Sequence, residues 1–171
     1  MTTIEFRAPW GRTVRVRTAV GLVLFGVMML GPLLAPSELP TPFMVVLIGL
    51  PPLIVAASLA HCVRGYTLAE DAITVRHGIG TTRLSLTGLR SVTGEVDAML
   101  GSWPLSGNAG FFAITGRYWN KTLGWHRAFA TDLSRAVVLR YPNRTIVITP
   151  HDPQHFIMRA RTFLKVADFP K

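Results

Sequence analysis

Two uncharged apolar runs dominate the hydropathy pattern. Thr18–Ala35 and Pro42–Ala60 contain no ionisable residue, and the stretch between them, Pro36-Ser37-Glu38-Leu39-Pro40-Thr41, is rich in turn formers. Each run approaches the ~20 residues that a helix needs to cross the hydrocarbon of a bilayer. The pattern predicts a transmembrane helical hairpin over residues 18–61, in which Glu38, placed in the turn, is the one ionisable side chain between Thr18 and Ala60. A cleaved signal peptide fits less well. The first run is long for a signal core, the small-residue site Leu33-Leu34-Ala35 is followed at once by Pro36, and a second span comes within a few residues. Pro51-Pro52 predicts a kink in the second span. Gly21, Gly26 and Gly31 recur every five residues, which does not match the four-residue spacing of tightly packed membrane helices. With no ionisable residue inside either span, a channel or transporter is not expected.

After Arg64 the period becomes that of strands. Tyr66-Thr67-Leu68 predicts a short strand ended by Glu70-Asp71. Ile73–Arg76 alternates apolar and polar, Gly78-Ile79-Gly80 supplies a turn, and Arg83–Leu86 alternates again with Leu84 and Leu86 on one face. Leu89–Val96 predicts another strand, residues 97–116 a long loop, and Thr122–Ala130 a strand whose Leu123, Trp125 and Phe129 share one face. Ala136–Tyr141 and Thr145–Thr149 form a hairpin through Pro142-Asn143. Asp152 as N-cap and Pro153 at the first helical position open a closing helix, with Phe156, Ala160, Phe163 and Ala167 on one face. About seven antiparallel strands and one amphipathic helix predict a small barrel or pair of sheets plugged by the helix.

Charge adds orientation. The chain of 171 residues carries a net +9, of which the segment before Thr18 holds Arg7, Arg12, Arg15 and Arg17 against Glu5. From Cys62 onward there are 14 Lys/Arg against 7 Asp/Glu. The connecting turn has neither Lys nor Arg, so the positive-inside rule puts both termini in the cytoplasm and a tight turn outside. Trp10 and the arginines suit the membrane border. The lone Cys62 gives no disulfide framework, in keeping with a reducing compartment. The cations are scattered along strands rather than clustered with aromatics, so nucleic acid is not an expected partner.

The order of elements, together with several local strings, resembles the bacterial pleckstrin-homology-like membrane proteins. The strings are Tyr66-Thr67-Leu68 with Glu70-Asp71, Ile73–Arg76 with the 78–80 turn, Gly107-Asn108-Ala109-Gly110-Phe111-Phe112, Gly116-Arg117-Tyr118, Ala130-Thr131-Asp132, and Ile148-Thr149-Pro150-His151-Asp152-Pro153. The resemblance covers roughly residues 64–165, and a two-span anchor is common among such proteins. It implies a membrane-anchored α+β chain: a transmembrane hairpin, then a PH-like seven-stranded, strongly bent antiparallel β-barrel with a C-terminal capping helix. It also implies a bacterial plasma-membrane protein with a cytoplasmic domain, and it does not imply an enzyme. The expected organisation is a basic cytoplasmic segment over 1–17, the hairpin over 18–61 and the PH-like domain over 64–171.

Candidate chemistry is sparse. Eukaryotic relatives of the fold often hold phosphoinositides with a basic first hairpin loop, whereas Ala69-Glu70-Asp71 here is acidic. Arg76 and Arg83 flank the next turn and can meet phosphates. Gly107-Asn108-Ala109-Gly110 offers backbone donors for an anion nest, centred on Asn108. Arg117, Tyr118, Trp119 and Lys121 follow as a mixed basic and aromatic set suited to a partner surface or lipid headgroups. His151 and His155 are four residues apart with Asp152 between them, but capping explains Asp152, so a metal site there is not expected. Glu95 and Asp97 share a strand face, but nothing marks them as a catalytic pair. There is no Gly-x-Ser-x-Gly elbow and no complete dinucleotide fingerprint. The sequence therefore predicts no enzyme, cofactor or metal. It predicts a membrane-anchored binding or scaffold protein that contacts a protein partner or further copies of itself, or alternatively recognises anionic lipid headgroups or another anionic ligand.

Overall fold

The computed structural model describes residues 3–34 and 40–167; the predicted turn at Glu38 lies outside the described residues. Both apolar runs are helices, α1 (Arg12–Leu34) and α2 (Thr41–Ala60). α1 begins ahead of its apolar run, so Arg12, Arg15 and Arg17 belong to its first turns. Both helices are long and apolar enough to cross a membrane, and only 11% and 6% of their most apolar stretches are buried inside the molecule. A core helix of a globular domain would bury a broad stripe of such a sequence.

The strands form two sheets. In the first the order is β1 (Ile4–Arg7), β2 (Val63–Leu68), β3 (Ala72–His77) and β4 (Thr81–Ser85). The basic N-terminal segment, given no strand by its sequence pattern, supplies β1, with Ile4 opposite Leu68 and Arg7 opposite Gly65. Phe6 is buried there and meets the Phe156 ring edge-on, the centroids 5.1 Å apart. The second sheet has the order β5 (Ser91–Gly94), β9 (Val137–Arg140), β10 (Thr145–Ile148), β8 (Gly124–Ala130), β7 (Ile114–Asn120) and β6 (Trp103–Ala109). The chain ends in α3 (Pro153–Ala167), capped as expected: the Asp152 carboxylate accepts from the His155 N–H at 3.0 Å.

Three expectations need correction. The strands do not close into a seven-stranded antiparallel barrel; ten strands among the described residues make two separate sheets. The pairing is not wholly antiparallel either, because β10 runs parallel to β8, Ile146 opposite Arg127. Residues 97–116 are not one long loop, since Trp103–Ala109 is β6. β6 is an edge strand exposed on both faces, so it lacks the alternation that reveals a half-buried strand.

Side chains, rather than a continuous ladder, join the two sheets. One core fills the space between them and α3, with Leu68, Ile73, Val75, Leu139, Ile148 and Phe156 almost fully buried. A second core lies on the other face of the six-stranded sheet, where Ala98, Met99 and the α1 residue Val14 cover Tyr118, Ala128 and Val147. Within the first core is a polar knot. The Tyr66 hydroxyl, on β2, donates to the Phe129 carbonyl of β8 at 2.6 Å and accepts from the Thr149 N–H at 3.0 Å. The Thr149 hydroxyl in turn accepts from the Thr131 N–H at 2.8 Å. Burial pushes the Tyr66 phenol up to about 12.

The helices enter the domain without slack. Only His61 and Cys62 separate α2 from β2. The β3–β4 turn closes on the helix end: Gly78 N–H donates to the Cys62 carbonyl at 2.9 Å and Ile79 N–H to the Ala60 carbonyl at 2.8 Å. Gly78 is needed because a Cβ there would stand 1.9 Å from the Leu59 carbonyl oxygen. On the α1 side, Gly11 N–H donates to the Thr131 carbonyl at 2.8 Å, and the Phe112 N–H to the Thr18 hydroxyl at 2.8 Å.

Tyr66→Phe leaves the Phe129 carbonyl and the Thr149 N–H buried without the hydroxyl. A loss of about 1–3 kcal/mol is expected, read as a lower Tm in detergent. Tyr141→Phe, which removes a bond from a half-buried hydroxyl to the Ser85 carbonyl, is expected to lower Tm less. A second prediction concerns acid. Arg140 grips Glu95 at 2.6 and 3.0 Å and, with the Thr93 hydroxyl assisting, holds its carboxyl below the ordinary value of 4.5. A carboxyl depressed in the folded state contributes stability above its unfolded value, and that contribution is lost as pH falls through the folded one. Arg140→Leu should therefore flatten the part of the stability–pH curve below about pH 4.5, measured by thermal unfolding across pH.

Candidate functional site

The six residues singled out by sequence fall into three groups. Arg76 and Arg83 lie on the four-stranded sheet and are each occupied within the chain. The Arg76 guanidinium donates to both Glu5 carboxylate oxygens at 3.1 Å, and Arg83 pairs with Asp71. The acidic loop after β2 thus supplies the partner of Arg83. Asn108 and Tyr118 build the β6–β7 turn. The Asn108 side-chain oxygen accepts from the N–H groups of Gly110 at 3.1 Å and Phe111 at 2.9 Å, so the last donor of the predicted nest, that of Gly110, is taken up by the turn itself. Tyr118 is buried, donates to the Asn108 carbonyl at 2.7 Å and stacks on the His126 ring. Burial pushes its phenol up to about 12. Arg117 and Lys121 are exposed, on β7 and in the turn that follows it.

Arg117 belongs to a surface that the sequence shows only in fragments. Trp103 on β6 is directly opposite Trp119 on β7, and Trp119 is directly opposite Trp125 on β8. Directly paired residues on adjacent strands project from one face. The three indoles therefore form a row across three strands, and they are 72%, 39% and 69% exposed. Two residues further along, Arg117 is paired directly with Arg127. Like charges in directly opposed positions destabilise a sheet pair. The Arg127 guanidinium lies 4.7 Å from the Phe129 ring centroid, which gives it one favourable contact. Cross-strand aromatic pairs stabilise a sheet only modestly, and these indoles still leave apolar surface in water, most of all Trp103 and Trp125.

The row ends at an open edge. No described strand pairs with the outer side of β6, and Trp103 and Leu105 stand exposed along it. Trp103–Ala109 carries no charged residue to blunt the edge, although Pro104 and a bulge between Pro104 and Ser106 interrupt its backbone donors.

Sequence reading missed Trp103, because it lies in the stretch taken as loop. It also missed Arg127, whose alternation with buried His126 and Ala128 was available as a signal. The pairing of Arg117 with Arg127 and of Trp119 with Trp125 is a matter of register, which no local pattern discloses. Glu95, one of the two carboxylates weighed for catalysis, is committed to Arg140. Among the described residues no three His, Cys, Asp or Glu side chains come together as metal ligands would. His151 instead faces Arg135, with its Nδ1 3.2 Å from the Arg135 Nη1.

No curated protein and no solved structure matches the chain. Residues 64–162, a span that runs from β2 into α3, match the bacterial PH domain family. With more than half of its length covered by that match, the chain belongs to the family of bacterial PH domains.

Proposed function

We propose that this chain is a membrane-anchored, non-enzymatic adaptor that docks an extended, acidic segment of a partner protein against β6 and the tryptophan row. The single observation that carries the proposal is the row itself: Trp103, Trp119 and Trp125 in directly paired, exposed positions beside an open strand edge. An extended segment can add to such an edge through main-chain hydrogen bonds, while its side chains find pockets on the face. Tryptophan and arginine are the residue types that most often dominate binding energy at protein interfaces. The opposed Arg117 and Arg127 cost the free fold stability, a cost offset when an acidic group lies between them. Lys121 adds charge of the same sign close by.

In this reading α1 and α2 cross the bacterial plasma membrane. Arg7 and the α1 residues Arg12, Arg15 and Arg17, together with Arg64 after α2, support a cytoplasmic location for both flanks. The domain is then held at the cytoplasmic face of the bilayer. A second reading, recognition of anionic lipid headgroups by this surface, draws on the same arginine pair. The open β6 edge favours a polypeptide, because a headgroup has no ladder to offer it.

A photo-crosslinking residue placed at Leu105 of the full-length chain in native membranes is expected to give a protein adduct of discrete mass. Arg117→Glu with Arg127→Glu is expected to reduce that adduct about tenfold or more, since loss of a charge-assisted contact costs about 1.5–3 kcal/mol. An adduct indifferent to the charge reversal, or one containing lipid alone, would overturn the partner assignment.

A further inference from the structure

A groove of about 710 Å³ lies where the helix pair meets the β6–β7 hairpin. That volume falls within the 300–1,000 Å³ typical of small-ligand sites. Its two ends differ in chemistry. One wall is apolar and comes from the helices: Gly21 and Phe25 of α1, Ile54 and Ala57 of α2. The other end is polar, with Arg17, Ser58, His61, Asn108 and Thr115. Among the described residues no carboxylate lines the groove, so its polar end has a positive bias.

The protein holds this groove open in a defined way. Phe111, at the hairpin tip, fits against Gly21, where a Cβ would come within 2.8 Å of the ring, and its ring meets Phe25 edge-on at 5.6 Å between centroids. Arg17 is steered toward the hairpin by a bond from its Nη1 to the Ala109 carbonyl. His61 is oriented by its Nδ1, which lies 2.9 Å from the Ala57 carbonyl, a contact that makes Nδ1 the donor. The polar groups therefore gather at the border where α1 and α2 leave their apolar stretches, and the apolar wall runs away from the domain along the helices.

We propose that the groove holds one anionic phospholipid, its phosphate at Arg17 and His61 and an acyl chain along Gly21, Phe25, Ile54 and Ala57. A soluble anion would leave the apolar wall unfilled, and an uncharged lipid would leave the basic end without a counter-ion. The inference rests on the membrane-anchored reading of the helix pair. It does not depend on the tryptophan row, which is a separate surface. The bound lipid would act as a wedge between helix pair and hairpin and tie the docking of the domain to the charge of the surrounding membrane.

The test uses the full-length chain in mild detergent, observed by native mass spectrometry with added phosphatidylglycerol or diacylglycerol. One phosphatidylglycerol should remain bound, with diacylglycerol, which has the chains but no phosphate, retained at least about tenfold less. Arg17→Gln should lower phosphatidylglycerol retention by about the same factor. Ala57→Phe, which fills the apolar wall and leaves every cation in place, should lower it as well. Glycerol phosphate, the headgroup anion without chains, should not displace the lipid. Equal retention of the two lipids, retention unchanged in both variants, or displacement by glycerol phosphate would each overturn the proposal. Alkaline carbonate extraction of native membranes separates its failure from that of the anchoring. Release of the chain into the supernatant would overturn both, whereas a chain that stays in the membrane without lipid preference overturns the lipid site alone.

Discussion

Two residues, His61 and Cys62, connect a helix that is apolar along its whole length to a strand at the heart of a sheet. That shortness is the constraint on which the rest of the molecule depends. A flexible tether would let the domain tumble relative to the helix pair. Here the β3–β4 turn is hydrogen-bonded to the helix end through Gly78 and Ile79, and Gly78 has no room for a side chain. β1 then runs alongside β2, and Gly11 and Thr18 tie α1 to the opposite sheet. Both helices are therefore fixed to the domain at several points, and the domain's surfaces acquire a set direction relative to the helix pair.

Within the domain the same economy of connection appears between the sheets. No backbone ladder joins them, so the interior between β2, β8 and the end of β10 must do so. Apolar packing supplies area without direction. The Tyr66 hydroxyl supplies direction, because one partner lies on β8 and the other directly follows β10, and together they fix how the sheets face each other. A hub of this kind is costly to break, since each buried group it satisfies has no water to turn to. The Trp103–Trp119–Trp125 row has the opposite character. It lies at the sheet's open margin, makes no comparable bonds, and is held in register only by the strands beneath it.

Much of this is written locally in the chain and some of it is not. The helix pair was legible from two uncharged runs, and α3 from Asp152-Pro153 and the spacing of Phe156 and Ala160. β3 and β4 were legible from alternation, which records burial on one face only. β1 was hidden because Ile4-Glu5-Phe6-Arg7 is too short to show a period and its partner lies far along the chain. β6 was hidden because an exposed edge has no buried face to mark it. The parallel pairing of β10 with β8 and the open sheets are properties of topology, set by contacts between distant segments. The family match covers the PH-like region that the strings at Tyr66, Gly107 and Ile148 pointed to. Among the site residues, Arg117 and Lys121 were legible as exposed cations, while Trp103 and Arg127 became visible only through register. Arg76 and Arg83 looked available because nothing in the sequence reveals that Glu5 and Asp71 are folded against them.

The claim that helix pair and domain form one fixed unit is tested most directly by a distance measurement between them. In a Cys62→Ser background, spin labels at Thr41→Cys, at the start of α2, and Lys121→Cys, in the turn after β7, report that separation by pulsed electron resonance in lipid nanodiscs. A single narrow distance distribution is expected, and it should broaden when Gly78→Val forces the β3–β4 turn off the Leu59 carbonyl. A broad distribution in the chain with Gly78 intact would contradict the account, because it would mean that the helices tether the domain without orienting it.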